Sequence, residues 1–273
     1  MTKCGEGSSY QHVSTVSPYT PTSSVKSIPY LEQTFCVLLI NISIQTCTEN
    51  DLTIANLSRG TFTIHNLPYG VVSHPSRTDG LPKLAVAYKD SAIDLEQLIT
   101  TDLSHLERQP QWTTIKAALA TQTTWNAFAS LPSELRKAFR QQLQFVLTSH
   151  ANSAGFNPTK HSAYLSLSEL RTHLPFDVHN FSDFYCSYEH AANCSAVFNI
   201  PFSASSGSSW FSIPQVYNGR TSSLAVSGTP VTRPFGVFPS KSGERPQFQP
   251  ENKLDFELEM GVWIGKPVKR GER

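Results

Sequence analysis

Apolar and polar positions along the chain fall into successive rhythms, beginning with one that suits strands. Phe62 and Ile64 alternate with polar neighbours, Asn66, Pro68 and Gly70 supply turn chemistry, and Val71 and Val72 resume an extended run. The apolar run at residues 84–88 predicts a buried strand. Lys89 and Asp90 mark a turn before Ile93, Leu95 and Leu98, and all of these read as short strands of a small β unit.

The rhythm then becomes helical. Trp112, Ile115 and Leu119 share one face, followed by Trp125 and Phe128. After the break at Leu131 and Pro132, Ser133 is placed as an N-cap. Leu135, Phe139, Leu143, Val146 and Leu147 then keep the spacing of an amphipathic helix. Residues 154–175 read as a loop with a strand or turn near Tyr164 and Leu170. A Ser-rich loop occupies residues 203–209, and two alternating apolar segments follow. Residues 253–264 alternate strictly, with Leu254, Phe256, Leu258 and Met260 on one face and Asp255, Glu257 and Glu259 on the other.

Composition narrows the class. With 273 residues, 39% hydrophobic and 16% charged, the chain has enough apolar material for a sizeable core. A net charge of +1 supplies no broad basic field for nucleic acid or an anionic membrane, and neither is expected as a partner. The longest apolar run, residues 35–44, is too short for a bilayer core of about 30 Å. It also lies too far along the chain for a secretory leader. The five cysteines contain no C-x-x-C and form an odd set, which argues against a disulfide framework and a thiolate zinc site. A reducing, cytoplasmic compartment is expected. The first thirty or so residues are rich in Ser, Thr and Pro without periodicity, and disorder is expected there.

Candidate chemistry is densest at residues 174–198, where Asp183, Tyr185 and His190 fall within eight positions. The carboxylates of residues 255, 257 and 259 have two readings. They form a solvated strand face, or they are oxygen ligands for a hard ion such as Ca²⁺ or Mg²⁺. His65, His150, His161, His173 and His179 receive no role.

A resemblance is carried by several segments in one order: Asn66-Leu67-Pro68-Tyr69-Gly70, the helix around residues 125–147, and residues 174–198. Trp210, Tyr217-Asn218-Gly219-Arg220 with Ser222 and Ser223, Val226-Ser227-Gly228-Thr229-Pro230, and the acidic strand at 254–260 continue it. Together they resemble the fumarylacetoacetase family over about residues 60–273. The resemblance implies a mixed, mainly β fold with helices. A disordered extension is expected at residues 1–57, an N-terminal SH3-like β-barrel domain at 58–172, and an incomplete β-sandwich-roll catalytic domain at 173–273.

It implies a hydrolase that cleaves a carbon-carbon bond of 4-fumarylacetoacetate, giving fumarate and acetoacetate in tyrosine and phenylalanine catabolism. By the same resemblance Asp183, Glu257 and Glu259 bind Ca²⁺ or Mg²⁺, His190 is the general base, Tyr185 and Tyr217 meet substrate, and the protein is a homodimer. Asn199 stands where the family has a substrate-binding arginine, and Val216 and Asn218 stand where it has Gly and His. The family's fourth metal-binding Asp, its oxyanion-binding Arg and Gln, a Lys, and the Glu that orients the base have no counterpart among these residues. The expectation is a fragment that is inactive alone. The alternative is a non-catalytic homologue that at most pairs with a full-length subunit.

Overall fold

The computed structural model describes residues 36–41, 62–75, 80–202, 208–239, 245–252 and 257–272. The disorder expected over residues 1–57 therefore lies outside the described residues, except for the backbone of a strand, β1 (Cys36–Asn41). Asp255, Leu254 and Phe256 also lie outside them.

The turn-rich segment after residue 62 builds β2 (Tyr69–Ser73), β3 (Lys83–Tyr88) and β4 (Ser91–Asp94). Lys89 closes the β3–β4 hairpin in the left-handed region, at φ 52°. The helices α1 (Leu95–Thr101), α2 (Pro110–Leu119), α3 (Asn126–Ala129) and α4 (Ser133–Asn152) follow. Two short strands, β5 (Tyr164–Ser166) and β6 (Arg171–His173), complete an antiparallel five-stranded sheet in the order β5-β4-β3-β2-β6.

Two expectations change here. Leu95 and Leu98 lie on helix α1 rather than on a strand. The Asp94 carboxylate accepts the Gln97 N–H at 3.2 Å, and this cap starts a helix whose Leu95, Leu98 and Ile99 all turn inward. Ser133 is not the N-cap of α4. Pro132 takes that position at φ −51° and ψ 149°, so the chain enters the helix directly and Ser133 falls in its first turn.

The helices cover the sheet through an aromatic core. Tyr69 and Trp125 meet at 4.5 Å, Phe128 and Phe139 at 5.1 Å, and Trp112 and Phe139 at 6.3 Å between ring centroids. The Trp125 indole N–H donates to Gly70 O at 2.8 Å, which satisfies the polar edge of a fully buried ring. Arg140 donates to Leu67 O and His65 O at 3.1 and 2.9 Å, pinning the approach to β2. Burial holds the Tyr69 phenol above its usual range, against the opposing pull of Arg140.

The second half is built from smaller pieces: β7 (Ser182–Phe184), α5 (Tyr188–Val197), β8 (Val216–Asn218), β9 (Phe235–Phe238), β10 (Gln247–Pro250) and β11 (Glu257–Val262). They pair antiparallel as β7–β8, β9–β10 and β1–β11. The described elements thus form a mixed fold that is mainly β by number of elements. Apolar side chains of this half remain uncovered, with Val237 69%, Phe248 72% and Met260 67% exposed. Contacts among the described residues tie it to the packed half. Trp263 stacks on Phe176 at 4.4 Å, and Gly265 passes so close to the Ala129 backbone that a Cβ would sit 2.4 Å from its carbonyl oxygen. Among the described residues no helix is long and apolar enough to cross a membrane.

Candidate functional site

Asp183 sits at the centre of β7, directly opposite Tyr217 of β8, with Ser182 opposite Asn218 and Phe184 opposite Val216. Direct partners on antiparallel strands project to the same face, so Asp183 and Tyr217 share a side. Gly219 follows β8 against the Phe181 ring, where a Cβ would lie 1.8 Å from ring carbon, so any larger residue here would have to displace that ring. The turn after β7 is fixed by the Tyr185 N–H donating to Gln215 O at 3.1 Å. The Trp210 indole donates to Tyr185 O at 3.0 Å.

His190 is held in the first turn of α5, where its backbone N–H donates to Ser187 Oγ at 3.3 Å. Its ring meets Tyr185 edge-on at 5.4 Å. Its Nε2 lies 3.5 Å from Glu257 Oε1, with the two side chains 38% and 40% exposed, so solvent reaches the pair. Glu257 and Glu259 lie two apart on β11 and so project to one side, as the alternation predicts. The Glu259 carboxyl is held above the usual carboxylate range by burial first, then by the negative charges of Asp183 and Glu257, against the opposing effect of His190. The Tyr185 phenol is likewise raised by burial first, then by Cys194 and Glu257.

Asp183, Tyr185, His190, Glu257 and Glu259 therefore share one neighbourhood, and Tyr217 lies at its open edge, 62% exposed. The donor set suits a hard divalent ion: its carboxylates offer only oxygen, and Asp183 and Glu257 both act on Glu259, whose carboxyl is raised by burial first and by their charges second.

The structure adds groups that periodicity alone did not bring out. Cys194, one helical turn beyond His190, places its Sγ 3.7 Å from His190 Nε2. Asn199 adopts φ 53° and ends α5: its N–H donates to Ala196 O and the Ile200 N–H donates to Ser195 O, at 3.0 and 2.9 Å. An asparagine just past a helix end is a recognisable stop signal. His150 and His161, given no role from the sequence, converge with Asp102 in the packed half. His150 stands four residues after Val146 on the buried stripe of α4, which was the signal available for it.

Comparison with known proteins identifies the family. Residues 65–175 match the family model described as Fumarylacetoacetase N-terminal, and residues 180–273 match Fumarylacetoacetate (FAA) hydrolase C-terminal. The chain belongs to the fumarylacetoacetase family, a family of hydrolases. It is 34% identical to the fumarylacetoacetase of Oryza sativa subsp. japonica over 216 residues and 34% identical to that of Homo sapiens over 212. It is 36% identical to that of Dictyostelium discoideum over 214 residues. Each comparison covers 77% of this chain and 48% of the relative, so the chain spans about half the length of the curated relatives it matches.

Proposed function

We propose that this chain carries the ion-binding and general-base portion of a fumarylacetoacetase-type site, acting on the carbon-carbon bond of 4-fumarylacetoacetate in tyrosine and phenylalanine catabolism. The observation that carries the reading is the approach of His190 Nε2 to Glu257 Oε1 at 3.5 Å, in a neighbourhood where Asp183 and Glu257 both act on Glu259. Asp183, Glu257 and Glu259 hold Ca²⁺ or Mg²⁺. When bound, such an ion supplies Lewis-acid polarisation of a β-diketone carbonyl. His190 takes a proton from the attacking water, at an Nε2 that solvent reaches. Tyr185, whose raised phenol keeps its proton, donates a hydrogen bond to substrate oxygen, and Tyr217 borders the entrance. The packed half is read as the family's SH3-like barrel and the second half as part of its β-sandwich roll, in a cytoplasmic homodimer.

The resemblance assigns the family's Arg and Gln oxyanion donors to none of residues 1–273, and removing a single such donor costs about a hundredfold to a thousandfold in rate. Expressed by themselves they are expected to turn over far more slowly than a full-length relative. The test supplies purified chain with Ca²⁺ and 4-fumarylacetoacetate and follows loss of the substrate's ultraviolet absorbance. Slow turnover that disappears in His190→Ala supports the reading. Turnover unaffected by His190→Ala refutes His190 as base, and a rate equal to a full-length relative's refutes the missing-donor argument.

A second reading, a non-catalytic homologue that pairs with a full-length subunit, is favoured by Asn199. Its left-handed backbone serves to stop α5, where the family places a substrate-binding arginine. Absence of any turnover, together with co-elution with a full-length relative, favours this reading.

A further inference from the structure

A second cluster stands in the packed half, on elements the proposed catalytic site does not use. Asp102 ends helix α1, His150 lies in the last turn of α4, and His161 sits between a short 3₁₀ turn (Pro158–Lys160) and β5. His150 Nε2 lies 3.0 Å from Asp102 Oδ1, and His161 Nε2 lies 3.3 Å from Asp102 Oδ2. One ligand atom from each residue falls within 4.8 Å of the other two. The three side chains are 15–19% exposed, so the cluster is shielded while its rim stays open.

We propose that Asp102, His150 and His161 form a binding site for a borderline divalent transition ion of the Zn²⁺ class, separate from the hard-ion site. Two neutral imidazoles and a carboxylate are the donor set such an ion prefers, and a set that Ca²⁺ and Mg²⁺ do not. Metal–ligand bonds of about 2.0–2.1 Å in tetrahedral geometry place neighbouring ligand atoms roughly 3.3 Å apart. The 3.0 and 3.3 Å separations run to different oxygens of Asp102, so an ion enters either with both carboxylate oxygens bound or after a small rotation that turns one oxygen toward both rings, whose ligand atoms already lie within 4.8 Å of one another.

The surroundings orient the ligands. Tyr164 OH lies 3.0 Å from His150 Nδ1, the outer contact that fixes a ligating imidazole, and Phe156 stacks on the same ring at 4.2 Å. The Ala163 N–H donates to His161 Nδ1 at 3.2 Å, which leaves the ring proton on Nε2, facing Asp102. An ion at Nε2 replaces that proton, and the Ala163 amide must then release Nδ1. Loading thus has a specific local signature at Ala163. The bound ion staples α1, α4 and β5 together. At 100 times its dissociation constant, it shifts the folding equilibrium by about a hundredfold toward the folded chain.

The test titrates the full chain with Co²⁺, whose d–d absorption reports low coordination number, and then displaces it with Zn²⁺. It is run on wild type and on Glu257→Gln/Glu259→Gln, which disables the acidic strand. One equivalent of Co²⁺ with the same spectrum in both chains is expected, with faster amide exchange at Ala163 on loading. Binding should weaken at least tenfold in His161→Ala. Tyr164→Phe keeps all three ligands and the aromatic packing, so it serves should His161→Ala not fold, and it should weaken binding about tenfold. No Co²⁺ spectrum, a spectrum lost only in Glu257→Gln/Glu259→Gln, or binding unchanged by Tyr164→Phe overturns the proposal. None of these results bears on catalysis at His190.

Discussion

Trp263 links the acidic strand to the packed half, and its removal gives a prediction that can be worked through. The half-buried indole stacks on the buried Phe176 ring at 4.4 Å and 22°, immediately beyond β11. Truncation to alanine removes on the order of 100 Å² of buried apolar surface, or about 2.5 kcal/mol at 25 cal/mol per Å². The lost ring pair adds roughly 1 kcal/mol. A total of about 3.5 kcal/mol corresponds to roughly a 300-fold increase in local opening. Amide hydrogen exchange followed by mass spectrometry reads this locally. In Trp263→Ala, protection over residues 257–262 should fall roughly 300-fold, while α4 around Leu143 keeps its own. Trp263→Phe is the control. It keeps a stacked ring and deletes an indole N–H that is buried without a hydrogen-bond partner, so it should stay within about 0.5 kcal/mol of wild type or exceed it. Equal loss of protection in α4 and β11, or no loss in either, refutes the view of Trp263 as the anchor of the acidic strand.

Gly265→Ala should destabilise the same junction by about 1–3 kcal/mol, because its Cβ would meet the Ala129 carbonyl at 2.4 Å and backbone must move; urea unfolding measures this. Asp94→Ala should cost about 1 kcal/mol through loss of the α1 cap, with Asp94→Asn retaining most of it, read by the same method. His173 bridges β6 to β2 through Ser73 Oγ at 2.8 Å, and burial, with Arg171, holds its imidazole below its ordinary value. The unfolded chain therefore takes up this proton first. Stability should fall as pH drops below about 6.5 and level off once the folded ring protonates. His173→Gln should flatten that segment of the pH–stability curve, and an unchanged curve would rule out His173 as its source.

The helical core was legible because spacing and burial agree. Trp112, Ile115 and Leu119 on α2, and Phe139, Leu143, Val146 and Leu147 on α4, point inward as their intervals require. The strand reading of Leu95 and Leu98 went wrong because a helix of two turns carries too few repeats to outweigh the neighbouring strands. The Asp94 cap was the decisive local signal. For the acidic strand, alternation gave the common side of Glu257 and Glu259 but not the burial. The carboxylates are half-buried, while Met260 and Val262 on the apolar side stay largely exposed. Alternation fixes which residues share a face, and only tertiary packing decides which face is covered. The meeting of Asp102 with His150 and His161 was out of reach for a similar reason. It depends on how α1 and α4 end against one another, a relation that no local period encodes.

The central claim is that Asp183, Glu257 and Glu259 together hold a hard divalent ion beside His190. Calorimetric titration of Ca²⁺ into the wild-type chain and into Asp183→Asn tests it most directly. One equivalent should bind to wild type, with affinity at least tenfold weaker in Asp183→Asn. Absence of Ca²⁺ binding to a folded wild-type chain, or equal binding by the two chains, would contradict it.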